Sequence, residues 1–387
     1  MTRFNPYLLE EKEYPIAVLV ERFNQMRAEG RDVVNLTIGD PQDDAFPLVI
    51  KKLKEVIAPA RRFGYPRGIG SKSYLESVKT WAKHSYDIDI EPDTEVISCN
   101  GTKEAIFSVP LAFDWSGGKE IFIPSLSYPV YEASARTLNI PIKMLPLSEA
   151  GNFLPDLDSI SPEEWRRCGL FWLNSPHNPT TAVAGKEYFA KLLELAEKYD
   201  FMLCSDECYN ELYYGSAKPV SAMDFHESRR WIVFRSLSKR SHMTGFRCGA
   251  IISKNKEVIK MLSRMRQAMG VGTPSFIQEA AREAWLDENH CVAMRESYLK
   301  KRDIILAALK KQGFHVFGAE AGFYLWVSHP SLDTSDAISD WFIAAGMLIT
   351  PGTAFGSDGE GFARIVYCLT DNACYDVAAR IESHTTP

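Results

Sequence analysis

Between residues 236 and 249 the chain reads Ser-Leu-Ser-Lys-Arg-Ser-His-Met-Thr-Gly-Phe-Arg-Cys-Gly. Lys239 offers a primary amine that can form an imine with a carbonyl group. Ser236, Ser238 and Arg247 offer two hydroxyls and a guanidinium suited to a phosphate. The apolar run before this stretch, Trp231-Ile232-Val233-Phe234-Arg235, reads as a buried strand, and Ala250-Ile251-Ile252 reads as a short second one. A solvated loop with ordinary surface charges is an equal reading of the stretch taken by itself. The rest of the chain has to decide.

Other polar groups fall after apolar runs in the same way. Residues 95–98 lead into Cys99-Asn100-Gly101-Thr102-Lys103, a glycine turn opening a helix. Its free amides would face a phosphate, or Thr102 would simply cap the helix. Residues 120–123 lead to Tyr128, which could stack on a flat ring or join the core. After 169–173 comes Asn174-Ser175-Pro176-His177-Asn178-Pro179-Thr180. Asn178, held by the following proline, could present its amide to a ligand or merely shape a turn. After 201–204 come Asp206 and Tyr209. A carboxylate just past a buried strand needs a partner, either a protonated ring nitrogen or a helix N-terminus that it caps.

The positioning elements follow from periodicity. From Glu95 to about Ser253, apolar runs at 95–98, 120–123, 169–173, 201–204, 231–235 and 249–252 alternate with helical spacing at 103–113, 128–137 and 185–199. That alternation predicts right-handed crossovers and a mostly parallel sheet, with ligands beyond the carboxyl ends of its strands. Before it lie a helix from Ile16 to Glu29, a short strand at 33–36, helical spacing at 48–58 and 72–86, and a turn-rich loop at 63–70. Helical stretches fill 255–312, and the tail mixes strands at 314–317, 323–327 and 363–368 with helices at 335–345 and 372–382. The fold class is α/β. Residues 1–45 are read as an arm and part of a small domain, 46–285 as a large domain, and 286–387 as the rest of the small α+β domain.

Composition narrows the function. The 387 residues are 45% hydrophobic and 24% charged, with a net charge of −6, which fits a soluble globular protein and no nucleic-acid surface. No apolar segment is long enough to span a bilayer, and residues 1–13 read as no signal peptide. The eight cysteines are scattered without a Cys-x-x-Cys pair, so reduced thiols in the cytoplasm and no metal site are expected. Taken together, the strand-end groups match the needs of pyridoxal 5'-phosphate: an imine-forming lysine, a partner for the pyridinium nitrogen and a phosphate cup.

With these motifs in view, the sequence resembles the class I/II, fold-type I pyridoxal-phosphate aminotransferases over nearly its whole length. The resemblance runs from Asn35-Leu36-Thr37-Ile38-Gly39-Asp40-Pro41 to Phe362-Ala363-Arg364-Ile365. It implies a large domain with a mostly parallel seven-stranded sheet. It also implies that Lys239 carries the cofactor and then moves a proton between Cα and C4′. Asp206 would keep the pyridine nitrogen protonated, and Tyr209 and Asn178 would bond the ring's 3′ oxygen. Tyr128 would stack on the ring. Gly101, Thr102, Lys103, Ser236, Ser238 and Arg247 would hold the phosphate. Arg364 would grip the substrate α-carboxylate beside the Gly39 backbone. Tyr65 resembles the tyrosine that reaches the neighbouring subunit's cofactor, which implies a homodimer with its active sites at the interface.

The usual Asn-Pro-Thr-Gly is here Asn178-Pro179-Thr180-Thr181, a change in the loop that removes no catalytic group. Within the family, Gly-Thr-Lys-Glu-Ala-Ile-Phe, Asp-Glu-Cys-Tyr-x-Glu-Leu-Tyr, Ser-Leu-Ser-Lys-Arg-Ser and the Asn5-Pro6 start with Tyr14-Pro15 look most like N-succinyldiaminopimelate aminotransferases of lysine biosynthesis. Such enzymes exchange the amino group with glutamate and 2-oxoglutarate. An acidic distal group would need a second cation, for which Arg67 and Arg136 are candidates. Aspartate, alanine or aromatic donors, a carbon–sulfur lyase and a non-catalytic regulatory homologue are the competing readings. A nicotinamide-dependent dehydrogenase is rejected, because Gly64, Gly68 and Gly70 have the wrong spacing and follow no strand.

Overall fold

The computed structural model describes residues 3–9, 15–215 and 217–384. Residues 10–13 of the expected arm, and Tyr14, lie outside them. In chain order the strands are β1 (Val34–Asn35), β2 (Val96–Cys99), β3 (Glu120–Pro124), β4 (Ile142–Leu145), β5 (Cys168–Asn174), β6 (Met202–Asp206) and β7 (Trp231–Ser236). They continue with β8 (Gly249–Ile252), β9 (His315–Phe317), β10 (Tyr324–Ser328), β11 (Met347–Leu348), β12 (Thr350–Pro351) and β13 (Ala363–Val366).

A seven-stranded sheet runs in the order β2-β8-β7-β6-β5-β3-β4. Every neighbouring pair is parallel except those made by β8, which lies antiparallel to both β2 and β7. The central strands are buried on both faces, which is why they read as continuous apolar runs. Successive side chains still alternate. Phe122, Phe171, Leu203 and Val233 join one apolar cluster, while Ile121, Trp172, Cys204 and Ile232 join the cluster on the opposite face. Six of the seven strands match the apolar runs. The seventh, β4, pairs with β3 alone at the sheet edge, and its Lys143 and Met144 are not buried, so it carries no unbroken apolar run.

Register aligns the strand ends that matter. Asn174 stands opposite Asp206, Asp206 opposite Phe234, and Ser236 opposite Gly249. The segments that follow β5, β6 and β7 therefore leave the sheet along one edge.

A second sheet, β12-β13-β10-β9, packs with the 23-residue helix Asn289–Lys311 and the helix Asp371–Ser383 around its own apolar cluster. The strand β1 pairs in parallel with β11, so the beginning of the chain meets its end. The expected helical stretch at 255–312 is three helices: Lys256–Met269, Ser275–Leu286 and Asn289–Lys311. The first stops at Gly270, whose φ of 68° is left-handed. The helix expected at 103–113 is α-helical only over Thr102–Ser108, then tightens into a 3-10 turn at Pro110. Among the described residues no helix is long and apolar enough to cross a membrane.

Candidate active site

Beyond the aligned ends of β5, β6 and β7 lies a cavity of about 550 Å³. Its walls bring together Gly39, Thr102, Lys103, Tyr128, Asn178, Asp206, Tyr209, Ser236, Ser238, Lys239, Arg247 and Arg364 from seven separate segments of the chain. Gly101 sits just behind this wall. A Cβ built on it would come within 2.3 Å of the Arg247 guanidinium, and its φ is 73°. Glycine is needed there for both reasons.

Lys239 lies in the short helix Leu237–Arg240 after β7, and its amine donates to the Gly39 carbonyl. Burial lowers the pKa of that amine, and Arg247 lowers it further. Gly39 itself has no room for a side chain, since a Cβ would meet the Tyr324 hydroxyl at 2.5 Å and Phe323 at 2.9 Å.

Asp206 ends β6 and does not cap a helix. One carboxylate oxygen accepts from the Tyr131 hydroxyl at 2.7 Å, the other from the Cys208 amide at 3.2 Å. Burial pushes its pKa up, with both hydrogen bonds opposing. A buried carboxylate in that state calls for a further positive partner on its cavity side. Tyr131 is fixed in turn by stacking on Trp172, with ring centroids 4.5 Å apart. Sequence reasoning missed this tyrosine. The available signal was Tyr128-Pro129-Val130-Tyr131, which starts a helix with two aromatics on adjacent turns.

Arg364, between buried Ala363 and Ile365 on β13, reaches the cavity from the second sheet. Its guanidinium donates to Asn178 Oδ1 at 2.7 Å and to the Thr37 carbonyl at 2.5 Å, and is flanked by the rings of Tyr324 and Phe355 at 4.5 and 4.7 Å. Its Nε is buried and without a partner. Asn178 is held by its own amide donating to Asn174 Oδ1 at 2.7 Å. The hydroxyls of Tyr209 and Tyr324 lie 2.7 Å apart. Asn174 and Tyr324 were given no role by the sequence reading, since Asn174 opens a strand-end stretch in which Asn178 drew the reading and Tyr324 lies inside an apolar strand.

On another wall, Lys103 and Arg247 face each other's charge. Partial burial and Arg247 together lower the lysine's pKa. Arg247 donates to the carbonyls of Thr244 and Asn100 but pairs with no carboxylate among the described residues. Two cations beside the hydroxyls of Ser236, Ser238 and Thr244 form a cradle that a dianionic phosphate would relieve of its repulsion. Thr102 is not the helix cap, which is Gly101. Its hydroxyl instead lies 3.0 Å from the Cys208 sulfur. The short helix it begins is anchored by Arg266, which is bidentate to Glu104 with both bonds at 2.8 Å.

Thr181, where a glycine is usual, keeps a left-handed φ of 64°. Its hydroxyl accepts from the Ala319 amide at 3.0 Å, so the strain is offset by a tie to the second sheet's region. Three expected residues lie elsewhere. Tyr65 is fully exposed and does not line the cavity of its own chain. Arg67 pairs with Asp93 at 3.5 Å in solvent, and Arg136 pairs with Glu132 at 3.5 Å with its guanidinium over the Tyr7 ring. Neither arginine lines the cavity, so neither serves a distal carboxylate within its own chain.

Residues 31–381 match the family model for aminotransferase class I and II. An LL-diaminopimelate aminotransferase of Aquifex aeolicus is 32% identical over 386 residues, covering 99% of both chains. Among solved structures, an aminotransferase from Neisseria meningitidis is 30% identical with a TM-score of 0.88, over 98% of this chain and 99% of that one. Substrate-bound BacF from Bacillus subtilis is 25% identical with a TM-score of 0.90, over 100% and 99%. The chain belongs to the class I and II aminotransferases, a family of pyridoxal-phosphate-dependent transaminases.

Proposed function

We propose that this class I and II aminotransferase moves the amino group of an α-amino acid to a 2-oxo acid with the cavity residues in the roles their motifs imply. Bound pyridoxal phosphate supplies an electron sink that acidifies the substrate Cα–H. The observation that carries the assignment of roles is the convergence of Lys239, Asp206 and Arg364 on one cavity. A lysine amine whose pKa is lowered by burial is more readily neutral, hence nucleophilic, and able to take and return the Cα proton. Asp206, oriented by Tyr131 and the Cys208 amide, holds a proton on the ring nitrogen. Tyr209 and Asn178 bond the ring's 3′ oxygen, and Tyr128 covers the ring face. Lys103, Arg247, Ser236 and Ser238, with the Gly101 and Thr102 backbone, hold the phosphate. Arg364 takes the α-carboxylate bidentately, with its Nε as a free donor.

The active unit in this reading is a homodimer in which Tyr65 reaches the neighbouring cofactor's phosphate. Its full exposure supports this, as does an apolar groove of about 1120 Å³ beside Lys103 and Arg247, lined by Phe107, Phe246, Met269 and Phe276. For the donor, the names of the relatives carry diaminopimelate without a succinyl group. The free diamino acid therefore replaces its succinylated form as the favoured substrate, still within lysine biosynthesis.

An absorption titration tests the reading. Protein reconstituted with pyridoxal phosphate should show a cofactor band that Lys239→Ala lacks and that an amino donor bleaches. Absence of any band in the wild type would sink it.

A further inference from the structure

The cavity holds one carboxylate that these roles leave unused. Its described walls carry two carboxylates, Asp206 and Asp40. Asp206 is buried and accepts hydrogen bonds on both oxygens. Asp40 is exposed at the cavity mouth, and its side chain makes no hydrogen bond or ion pair with any described residue. A lone carboxylate among Lys103, Lys239, Arg247 and Arg364 is close enough to make the Lys239 amine more basic, yet it is paired with none of them.

Its place along the backbone gives it a use. The Thr37 carbonyl accepts from Arg364, and the Gly39 carbonyl accepts from Lys239. The segment from Thr37 to Asp40 thus runs from the carboxylate-gripping end of the cavity, past the reacting amine, to the mouth. Three residues span at most about 10 Å, so a substrate whose α-carboxylate is held by Arg364 and whose Cα lies at Lys239 extends its side chain toward the end of the cavity where Asp40 stands. The motif reading required a cation there for an acidic distal group. The two arginines considered for that task lie outside the cavity, and the charge present has the opposite sign.

We propose that Asp40 is a specificity residue that selects amino donors carrying a free ammonium group at the far end of the side chain. The inference rests on the transaminase reading above and narrows its substrate class to diamino acids. It separates a diamino acid from its N-succinylated form, because acylation removes the positive charge and adds a carboxylate. Glutamate and aspartate, whose side chains end in a carboxylate with no ammonium beside it, meet like charge at the same place, whereas the distal carboxylate of diaminopimelate is accompanied by an ammonium that Asp40 can take.

Two measurements on the cofactor-loaded enzyme test it. The first is non-reactive binding, comparing 6-aminohexanoate with hexanoate by calorimetry in wild type and Asp40→Asn. The aminated ligand should bind about 10-fold more tightly to wild type, and the preference should vanish in the variant. The second is the ratio of kcat/KM for LL-diaminopimelate to that for alanine, which should fall by about 10-fold in Asp40→Asn while the ratio for glutamate to alanine rises. A binding preference that survives the substitution, or a loss equal for all three donors, overturns the proposal. The second outcome would mean that Asp40 acts only through the basicity of Lys239. If no donor bleaches the cofactor band but the preference for 6-aminohexanoate exists and depends on Asp40, the transaminase reading falls and the recognition by Asp40 stands. If donors bleach the band and no ammonium preference exists, the reverse holds.

Discussion

Asp206 and Glu207 are consecutive, as are Lys239 and Arg240, yet each pair is divided between two polar clusters on opposite sides of the same strand ends. On the cavity side, Asp206, Lys239, Arg247 and Arg364 pair with no opposite charge among the described residues, and their contacts are hydroxyls, carbonyls and amides. On the other side the charges are paired with each other. Arg235 donates to Glu207 at 2.6 Å, and Glu207 also accepts from Ser205, Ser221 and the Ala222 amide. Arg240 donates to Glu288 at 3.0 Å and to the Ala284 carbonyl at 2.8 Å beside the Trp285 ring. Identical residue types therefore do different work. Charges already neutralised hold the strand ends in place, and charges left without a counter-ion are available to a ligand.

The comparison breaks most visibly at Lys239. Substitution by alanine should lower kcat by at least about 10³-fold while the thermal midpoint of the cofactor-free protein stays near that of wild type. On the paired side the reverse is expected. Arg235→Met would leave Glu207 buried without its cation and should destabilise the protein by about 3–5 kcal/mol in denaturant unfolding. Much of that loss should return in Arg235→Met/Glu207→Leu. A large loss of turnover without loss of stability in Arg235→Met would place this cluster in the chemistry after all.

Arg364→Lys keeps the charge but loses the planar fork. It should reduce kcat/KM by about 10–100-fold, chiefly through KM for the α-carboxylate. The smallest effect sharpens the contrast from the stability side. The pKa of Asp206 is raised by burial, so its ionised form costs stability in the cofactor-free protein. The contribution is most favourable below the ordinary carboxylate value and is lost as pH rises through the raised one. Asp206→Asn should therefore stabilise the cofactor-free protein at pH 7 by about 1 kcal/mol, with the difference closing as pH falls below about 4. An unchanged or lowered midpoint at neutral pH would show that Asp206 is already neutralised without the cofactor.

Much of this was legible in the sequence because each part was local. Buried parallel strands must be apolar throughout, so β5 to β7 announced themselves, and the residues immediately after them were the ones that line the cavity. The edge strand β4 was silent because half of it faces away from the core. Tyr131 and Tyr324 were silent for another reason: the hydrogen bond each makes in the cavity goes to a residue 75 or 115 positions away, and nothing beside it in the chain marks that contact. The sequence could not rank Arg67 and Arg136 as distal cations, because the pairing of their side chains with Asp93 and Glu132 is not marked by the motif residues beside them.

The sequence by itself determined the set of reacting groups and the family. Lysine, aspartate, tyrosine, asparagine and arginine at strand ends are chemical identities that no folding step alters. Which member of Asp206-Glu207 or Lys239-Arg240 faces a ligand, and whether a given charge finds a counter-ion, was decided only by the tertiary structure. Strand direction and register send neighbouring side chains to opposite faces, and the partners that neutralise one face come from helices far along the chain. Asp40 shows the same division. Its carboxylate was visible in the sequence, but the absence of a partner for it could be known only once every other described charge had been placed.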